Sequence, residues 1–244
     1  MGAVSEGIMR LFAPAKLTTS LRIVGRRDDG YHLIDAEMVS LDFGDWLFLT
    51  EAESPVVEFV DSDGNELHLG PDDLVSRALR QIGSEASVRV EKTIAAGAGL
   101  GGGSADAAAI LHWAGHSDLV AAASLGADVA FCLDGGRARV QGVGELINPL
   151  PFEARVFTLL TPPVMCSTPE VYRAWDDLGG PSGDNGNDLE PAALVVAPEL
   201  ARWRDELGDA TGVRPRLAGS GSTWFVEGDY PGEGRVVAHT SPAR

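Results

Sequence analysis

The sequence predicts a mixed α+β protein in two lobes, and three observations predict it. Strand-patterned segments such as Leu21-Arg22-Ile23-Val24 and Trp46 to Thr50 are interleaved with segments of helical spacing. A run of glycines, Gly97-Ala98-Gly99-Leu100-Gly101-Gly102-Gly103-Ser104-Ala105-Asp106, passes directly into Ala107-Ala108-Ala109-Ile110-Leu111. Beyond the middle of the chain, the pair Pro162-Pro163 interrupts the pattern and suggests a division between lobes.

The elements follow in order. Leu11 to Gly25 reads as a strand, then Lys16 alone among small and hydroxyl residues, then a second strand at Leu21 to Val24, with Arg26-Arg27-Asp28-Asp29-Gly30 as the closing turn. Trp46 to Thr50 and Val56 to Val60 are strand-like, and Asp61-Ser62-Asp63-Gly64-Asn65 is a hairpin turn. Pro71 opens a helix through Ile82 with Leu74, Ala78, Leu79 and Ile82 on one face. Ala86 to Lys92 is a strand leading to the glycine run, where Ser104 is a natural N-cap and Asp106 a first-turn acid for the next helix. Ser117 caps a short helix ending at Leu125-Gly126, and Asp128 follows, embedded among small and apolar residues. Gly136 to Gln141 and Arg155 to Leu160 are strands, Thr168 to Leu178 a helix, and Gly179 to Asn187 a loop. Pro198 suits the first turn of a helix on which Leu200, Trp203 and Leu207 share a face and which Gly208 ends. A second glycine-serine loop, Gly219-Ser220-Gly221-Ser222, leads into Thr223-Trp224-Phe225-Val226.

Glycine lets the backbone adopt φ > 0 and approach a ligand, and free N–H groups with a partial positive charge gather at a helix N-terminus. The glycine run therefore reads as an anion cradle suited to a phosphate chain. With 36 acidic against 19 basic residues and a formal net charge of −17, the surface as a whole repels nucleic acid and anionic membranes. An anionic substrate has to be drawn in by a local pocket. Cys132 and Cys166 lie in apolar surroundings without metal-type spacing and read as free thiols of a reducing compartment. Met1 to Arg10 lacks a signal pattern, and the most apolar stretch, Leu119 to Leu133, is interrupted by Ser124, Gly126 and Asp128, so the expected location is cytoplasmic.

Seven segments occur together in one order: Pro14-Ala15-Lys16, Asp29-Gly30-Tyr31-His32, Gly97 to Ser104, Leu125-Gly126-Ala127-Asp128-Val129, Gly142-Val143-Gly144-Glu145, Asn187-Asp188-Leu189-Glu190-Pro191 and Gly219 to Ser222. In kind and order they resemble the GHMP kinase superfamily, and in it the branch acting on 4-diphosphocytidyl-2-C-methyl-D-erythritol. The resemblance implies an N-terminal ribosomal-protein-S5-like lobe, here 1–155, and a C-terminal ferredoxin-like α/β lobe, here 156–244. It also implies ATP-dependent phosphorylation of the substrate's 2-hydroxyl in non-mevalonate isoprenoid precursor synthesis.

The site residues carried over by the resemblance are as follows. Asp128 matches the catalytic base and Lys16 the partner that orients it. Ala95, Ala96, Gly97, Ala98, Gly99, Leu100, Gly101, Gly102, Gly103, Ser104 and Ala105 match the ATP-phosphate cradle, with Ser104 also supporting Mg²⁺. Tyr31 and His32 match the pair that stacks on cytosine and reads its edge, joined by Thr18, where the family usually has Asn, and by Gly219 and Ser220. The implied cofactors are ATP and Mg²⁺, and the implied partner is a small molecule with a cytidine diphosphate group, with no nucleic acid and no membrane, in a monomer or homodimer. Two other readings stand beside this one at the level of sequence: a GHMP kinase for another small alcohol, and a nucleotide-binding module without turnover.

Overall fold

The computed structural model describes residues 8–243 apart from 53, 55 and 71. Its spine is one long antiparallel hairpin, β1 (Met9–Arg26) and β2 (His32–Glu51), paired from Met9 with Leu49 down to Arg26 with His32. The segment expected as two strands around Lys16 is therefore a single strand. Its register shifts between Pro14 and Lys16 mark a bulge, which proline favours because it has no N–H for the ladder. Gly44 sits opposite that bulge, and a Cβ there would lie 2.0 Å from the Ala13 carbonyl oxygen.

The free edge of β2 is shared among three strands. Residues 34–39 pair with β6 (Arg137–Gly142), residues 40–41 with β11 (Arg235–Ser241), and residues 46–51 with β5 (Ala86–Glu91). Beyond β5 lie β3 (Val57–Val60) and β4 (Glu66–Leu67), and β7 (Leu146–Pro149) pairs with β6. Through β11 the sheet continues into β8 (Val156–Leu160), β10 (Trp224–Glu227) and β9 (Arg216–Leu217). β11 thus ties the C-terminal third of the chain to the N-terminal hairpin. Arg155 reinforces the link, donating to Glu37 on β2 at 3.1 Å and to Glu227 on β10 at 2.9 Å.

Helices α1 (Leu74–Ile82), α2 (Gly102–Trp113), α3 (Leu119–Leu125) and α4 (Val129–Asp134) build the first core with β1 and β2. In α2 every residue from Ala105 to Leu111 is buried, the mark of a helix enclosed on all sides, and its alanines allow neighbours to approach closely. Helices α5 (Thr168–Asp177), α6 (Glu190–Val196) and α7 (Leu200–Thr211) add Val171, Ala192, Ala193, Leu200 and Leu207 to the same core.

Several helix ends differ from the sequence reading. Pro71 lies outside the described residues, and α1 begins at Leu74 because Asp73 caps it, its Oδ1 accepting from the Ser76 N–H at 2.8 Å. Gly101, with φ 70°, holds the N-cap position of α2, so Ser104 stands inside the first turn and caps nothing, and Asp106 falls beyond that turn. Asp118, not Ser117, caps α3 through the Val120 and Ala121 N–H groups. α7 runs through Gly208 to Thr211, and the αL residue Gly212 ends it.

A buried charge cluster fixes where the glycine loop begins. Lys92, just past β5, pairs with Asp45 of β2 and, at 2.6 Å, with Asp106 of α2, and both carboxylates are fully buried. Asp45 also accepts from the Thr93 and Ile94 N–H groups at 2.6 and 2.8 Å. Burial pushes the Asp106 carboxyl well up, against the pull of Lys92. Burial also works to lower Lys92, but the two carboxylates outweigh it and hold the ammonium above its usual value. Removing one partner of such a cluster strands the others in low dielectric. Lys92→Met is therefore expected to lower unfolding free energy by about 3–5 kcal/mol in urea titration, and a loss below about 1 kcal/mol would show that the cluster carries no such weight.

Candidate active site

The glycine loop is built by positive φ at Gly97, Gly99 and Gly101 (72°, 78° and 70°). It is not an isolated cradle, because it packs on the second glycine loop through backbone alone. A Cβ on Gly99 would lie 2.4 Å from the Ala218 oxygen and 2.7 Å from the Gly221 oxygen. The Ser222 and Thr223 N–H groups donate to the Gly97 and Ala98 carbonyls, both at 3.1 Å. From the other side, the Lys16 N–H donates to the Leu100 carbonyl at 3.0 Å.

Lys16 follows directly from that contact. The bulge at Pro14 turns its side chain over Gly101, where a Cβ would lie 2.7 Å from Lys16 Cγ. Its Nζ, on a side chain 6% exposed, reaches Asp128 Oδ2 at 3.0 Å and donates to Thr18 Oγ1 at 3.1 Å. Asp128 occupies the N-cap position of α4, yet its side chain makes no capping bond, so the carboxylate is free for Lys16. At 30% side-chain exposure, Asp128 is the open member of the pair. The turn Gly142-Val143-Gly144-Glu145 supports it from behind. Glu145 Oε2 accepts from the Val143 N–H at 2.6 Å, and Gly144 lies so close that a Cβ would stand 2.9 Å from the Ala127 oxygen.

The second loop is held by the Asn187-Asp188 pair. Asn187 Nδ2 donates to the carbonyls of Leu217 and Gly219 at 2.8 and 2.7 Å. Asp188 accepts from the Gly183 and Ile23 N–H groups and from Arg22. That motif is therefore a clamp between β1 and Gly219-Ser220. Ser220 Oγ in turn lies 2.8 Å from Thr168 Oγ1, which joins the loop to the start of α5.

A cavity of about 950 Å³ runs over these elements. Its lining brings together Lys16, Thr18, Tyr31, His32, Asp128, Gly219, Ser220 and the glycine run from Ala95 to Ser104, whereas Ala105 turns into the core. A space of that size accommodates a nucleotide together with an acceptor. His32 is enclosed by α5, stacked on Tyr172 with centroids 4.9 Å apart and set edge-on to Trp175. Tyr31 is 64% exposed at the rim.

Sequence reasoning missed Lys92 and Asp45, which bear on the loop, and Tyr172, Trp175 and Asp176, which enclose His32. For the three on α5, a signal was present in the i, i+3, i+4 spacing that puts them on one face. Burial and then the Asp128 charge push the Tyr172 phenol up, so it remains a hydrogen-bond donor beside the Lys16–Asp128 pair.

The chain resembles known proteins over most of its length. No family model matches it. A 4-diphosphocytidyl-2-C-methyl-D-erythritol kinase of Cereibacter sphaeroides is 38% identical over 242 residues, covering 88% of this chain and 87% of that one. The same-named protein of Ruegeria pomeroyi is 35% identical over 259 residues, covering 95% and 92%. Among solved structures, a 4-(cytidine 5'-diphospho)-2C-methyl-D-erythritol kinase superposes with a TM-score of 0.72 at 28% identity, over 95% of this chain and 99% of that one. A mevalonate kinase of Methanococcus jannaschii, at TM-score 0.53 and 12% identity over 93% and 92%, shows the GHMP kinase fold alone. By sequence, by fold and by the joining of Lys16 to Asp128 between two glycine loops, this chain belongs to the 4-diphosphocytidyl-2-C-methyl-D-erythritol kinase family.

Proposed function

We propose that this chain transfers the γ-phosphoryl group of ATP to the 2-hydroxyl of 4-diphosphocytidyl-2-C-methyl-D-erythritol, with Asp128 receiving the hydroxyl proton. The observation that carries the reading is the Lys16–Asp128 pair, 3.0 Å apart, in the wall of a cavity shared by both glycine loops. Membership of the kinase family gives the reaction class and ATP as donor.

Phosphoryl transfer asks little covalent chemistry of a protein and much positioning. In this reading 1–155 carries the nucleotide and 156–244 closes the acceptor side. The loop from Ala95 to Gly103 lays its backbone along the phosphates, and Lys16 holds Asp128 Oδ2, which leaves Oδ1 to accept the proton of the attacking hydroxyl. The ammonium of Lys16 also offsets negative charge near the transferred group. Thr18, where the family usually has Asn, accepts from Lys16 at 3.1 Å and fixes the lysine's direction.

For Mg²⁺ the donor set fits. Ser104 and Asp106 both line the cavity, and Asp106 Oδ1 is a buried carboxylate oxygen with no hydrogen-bond partner. Bound there with ATP, the ion supplies neutralisation of phosphate charge. The cytidine end is assigned to Tyr31 and His32, and Gly219 and Ser220 bound the acceptor side.

Variants of the lysine–aspartate pair and of the glycine loop test the assignment. Asp128→Asn keeps the shape and removes the proton acceptor, so kcat is expected to fall by about 10² to 10⁴ with ATP affinity by calorimetry unchanged. Lys16→Met is expected to lower kcat as well, and the double variant to be little worse than the more damaging single one, because the two groups act as a unit. Turnover within a factor of a few of the starting protein in Asp128→Asn would remove Asp128 as the base. Gly101→Val drives a side chain into the Lys16 stem at a φ of +70°, so it is expected to cut turnover as severely as Lys16→Met does, with native circular dichroism retained. Full activity in Gly101→Val would mean that the lysine's path over the loop is not required.

A further inference from the structure

We infer that Asp176 is a positioning residue that sets base preference at this site by fixing the tautomer of His32. The inference rests on the acceptor reading above and assigns a role to a residue that touches neither the reacting atoms nor the phosphates.

His32 opens β2 and lies with a side chain only 9% exposed against one face of α5. Tyr172, Trp175 and Asp176 stand at i, i+3 and i+4 on that helix and contact the imidazole together. Tyr172 stacks on it at 4.9 Å and 27°, Trp175 meets it edge-on at 5.5 Å and 90°, and Asp176 Oδ1 lies 2.8 Å from Nε2. The second carboxylate oxygen, Oδ2, faces Arg26 Nη1 at 3.5 Å, so both ends of the β1–β2 hairpin tip bear on Asp176. The ring is held on a face, on an edge and at one nitrogen.

A carboxylate accepts hydrogen bonds and donates none, so the 2.8 Å contact places the hydrogen of the neutral imidazole on Nε2. Nδ1 then carries the lone pair. It has no partner among the described residues, and His32 lines the main cavity. A lone pair fixed there accepts from an exocyclic amino group and repels a carbonyl oxygen. Cytosine presents an N4 amino donor where a uracil-type edge presents the O4 acceptor. Without Asp176 the ring is free to carry its hydrogen on Nδ1, and the preference is lost. The same carboxylate therefore orders the hairpin tip and writes the chemistry that the tip presents.

The test combines a spectrum and a binding ratio on the full chain, with Asp176→Ala and Asp176→Asn. Nitrogen-15 NMR of the ligand-free protein at neutral pH is expected to show the Nε2–H tautomer for His32, retained in Asp176→Asn, whose amide oxygen still accepts, and mixed in Asp176→Ala. Calorimetry with cytidine diphosphate and uridine diphosphate as probes is expected to show cytidine preferred. That preference should fall about tenfold in Asp176→Ala, the scale of one hydrogen bond, and stay within about threefold in Asp176→Asn, with ATP affinity unchanged in both. In turnover the loss should appear in the acceptor KM and not in kcat. An Nδ1–H tautomer or an imidazolium in the starting protein, or an undiminished cytidine preference in Asp176→Ala, overturns the inference. Absence of turnover on the cytidine-linked acceptor, with the binding preference and the tautomer as expected, strikes the proposed function and leaves the role of Asp176 standing.

Discussion

The constraint on which the rest depends is the bare backbone contact between the two glycine loops. At Gly99 the chain approaches the Ala218 and Gly221 carbonyls more closely than any Cβ allows, and two N–H donors from the second loop close on the first. That contact joins residues more than a hundred positions apart and fixes the two glycine loops against one another. Lys16 enters the same junction from β1, its own N–H bound to Leu100 and its stem laid over Gly101. A side chain at Gly99 or Gly101 would therefore displace a partner, not merely narrow a pocket.

Two lysines show how one residue type takes opposite roles according to its surroundings. Lys92 is closed off between two fully buried carboxylates and anchors the loop to β2 and α2. Two of its three N–H donors are taken by those carboxylates. Lys16 is as deeply buried, but its carboxylate partner opens on the cavity. Burial of the ammonium keeps its direction fixed, and exposure of Asp128 leaves an oxygen available for chemistry. Each pair has the Coulombic attraction its neighbour has, and the difference in function comes from which partner faces open space.

The C-terminal part supplies order more than reactive groups. Asn187 and Asp188 make no contact with the Lys16–Asp128 pair, yet they clamp Gly219 and β1 to one another. α5 extends that order to the hairpin tip by enclosing His32 and by joining Ser220 through Thr168. β11, paired with both β2 and β8, makes the two parts one continuous sheet.

The sequence by itself determined the local pieces. Glycine is the residue that supplies positive φ without strain, so the run from Gly97 to Gly101 had to be a loop of close approach, and the alanine-rich segment after it had to be a helix. The order of the seven motifs carried Lys16 and Asp128 as a pair before any distance was known. The tertiary structure alone decided that Ser104 caps nothing, because the αL conformation of Gly101 had already started the helix. It decided that β1 is one strand, because pairing with β2 overrides the break that the small residues around Lys16 suggest. It also decided the parts played by Lys92 and Asp45, single charged residues in unremarkable local contexts. Their meaning lies in partners far along the chain, and local patterning holds no record of which distant group a side chain will meet.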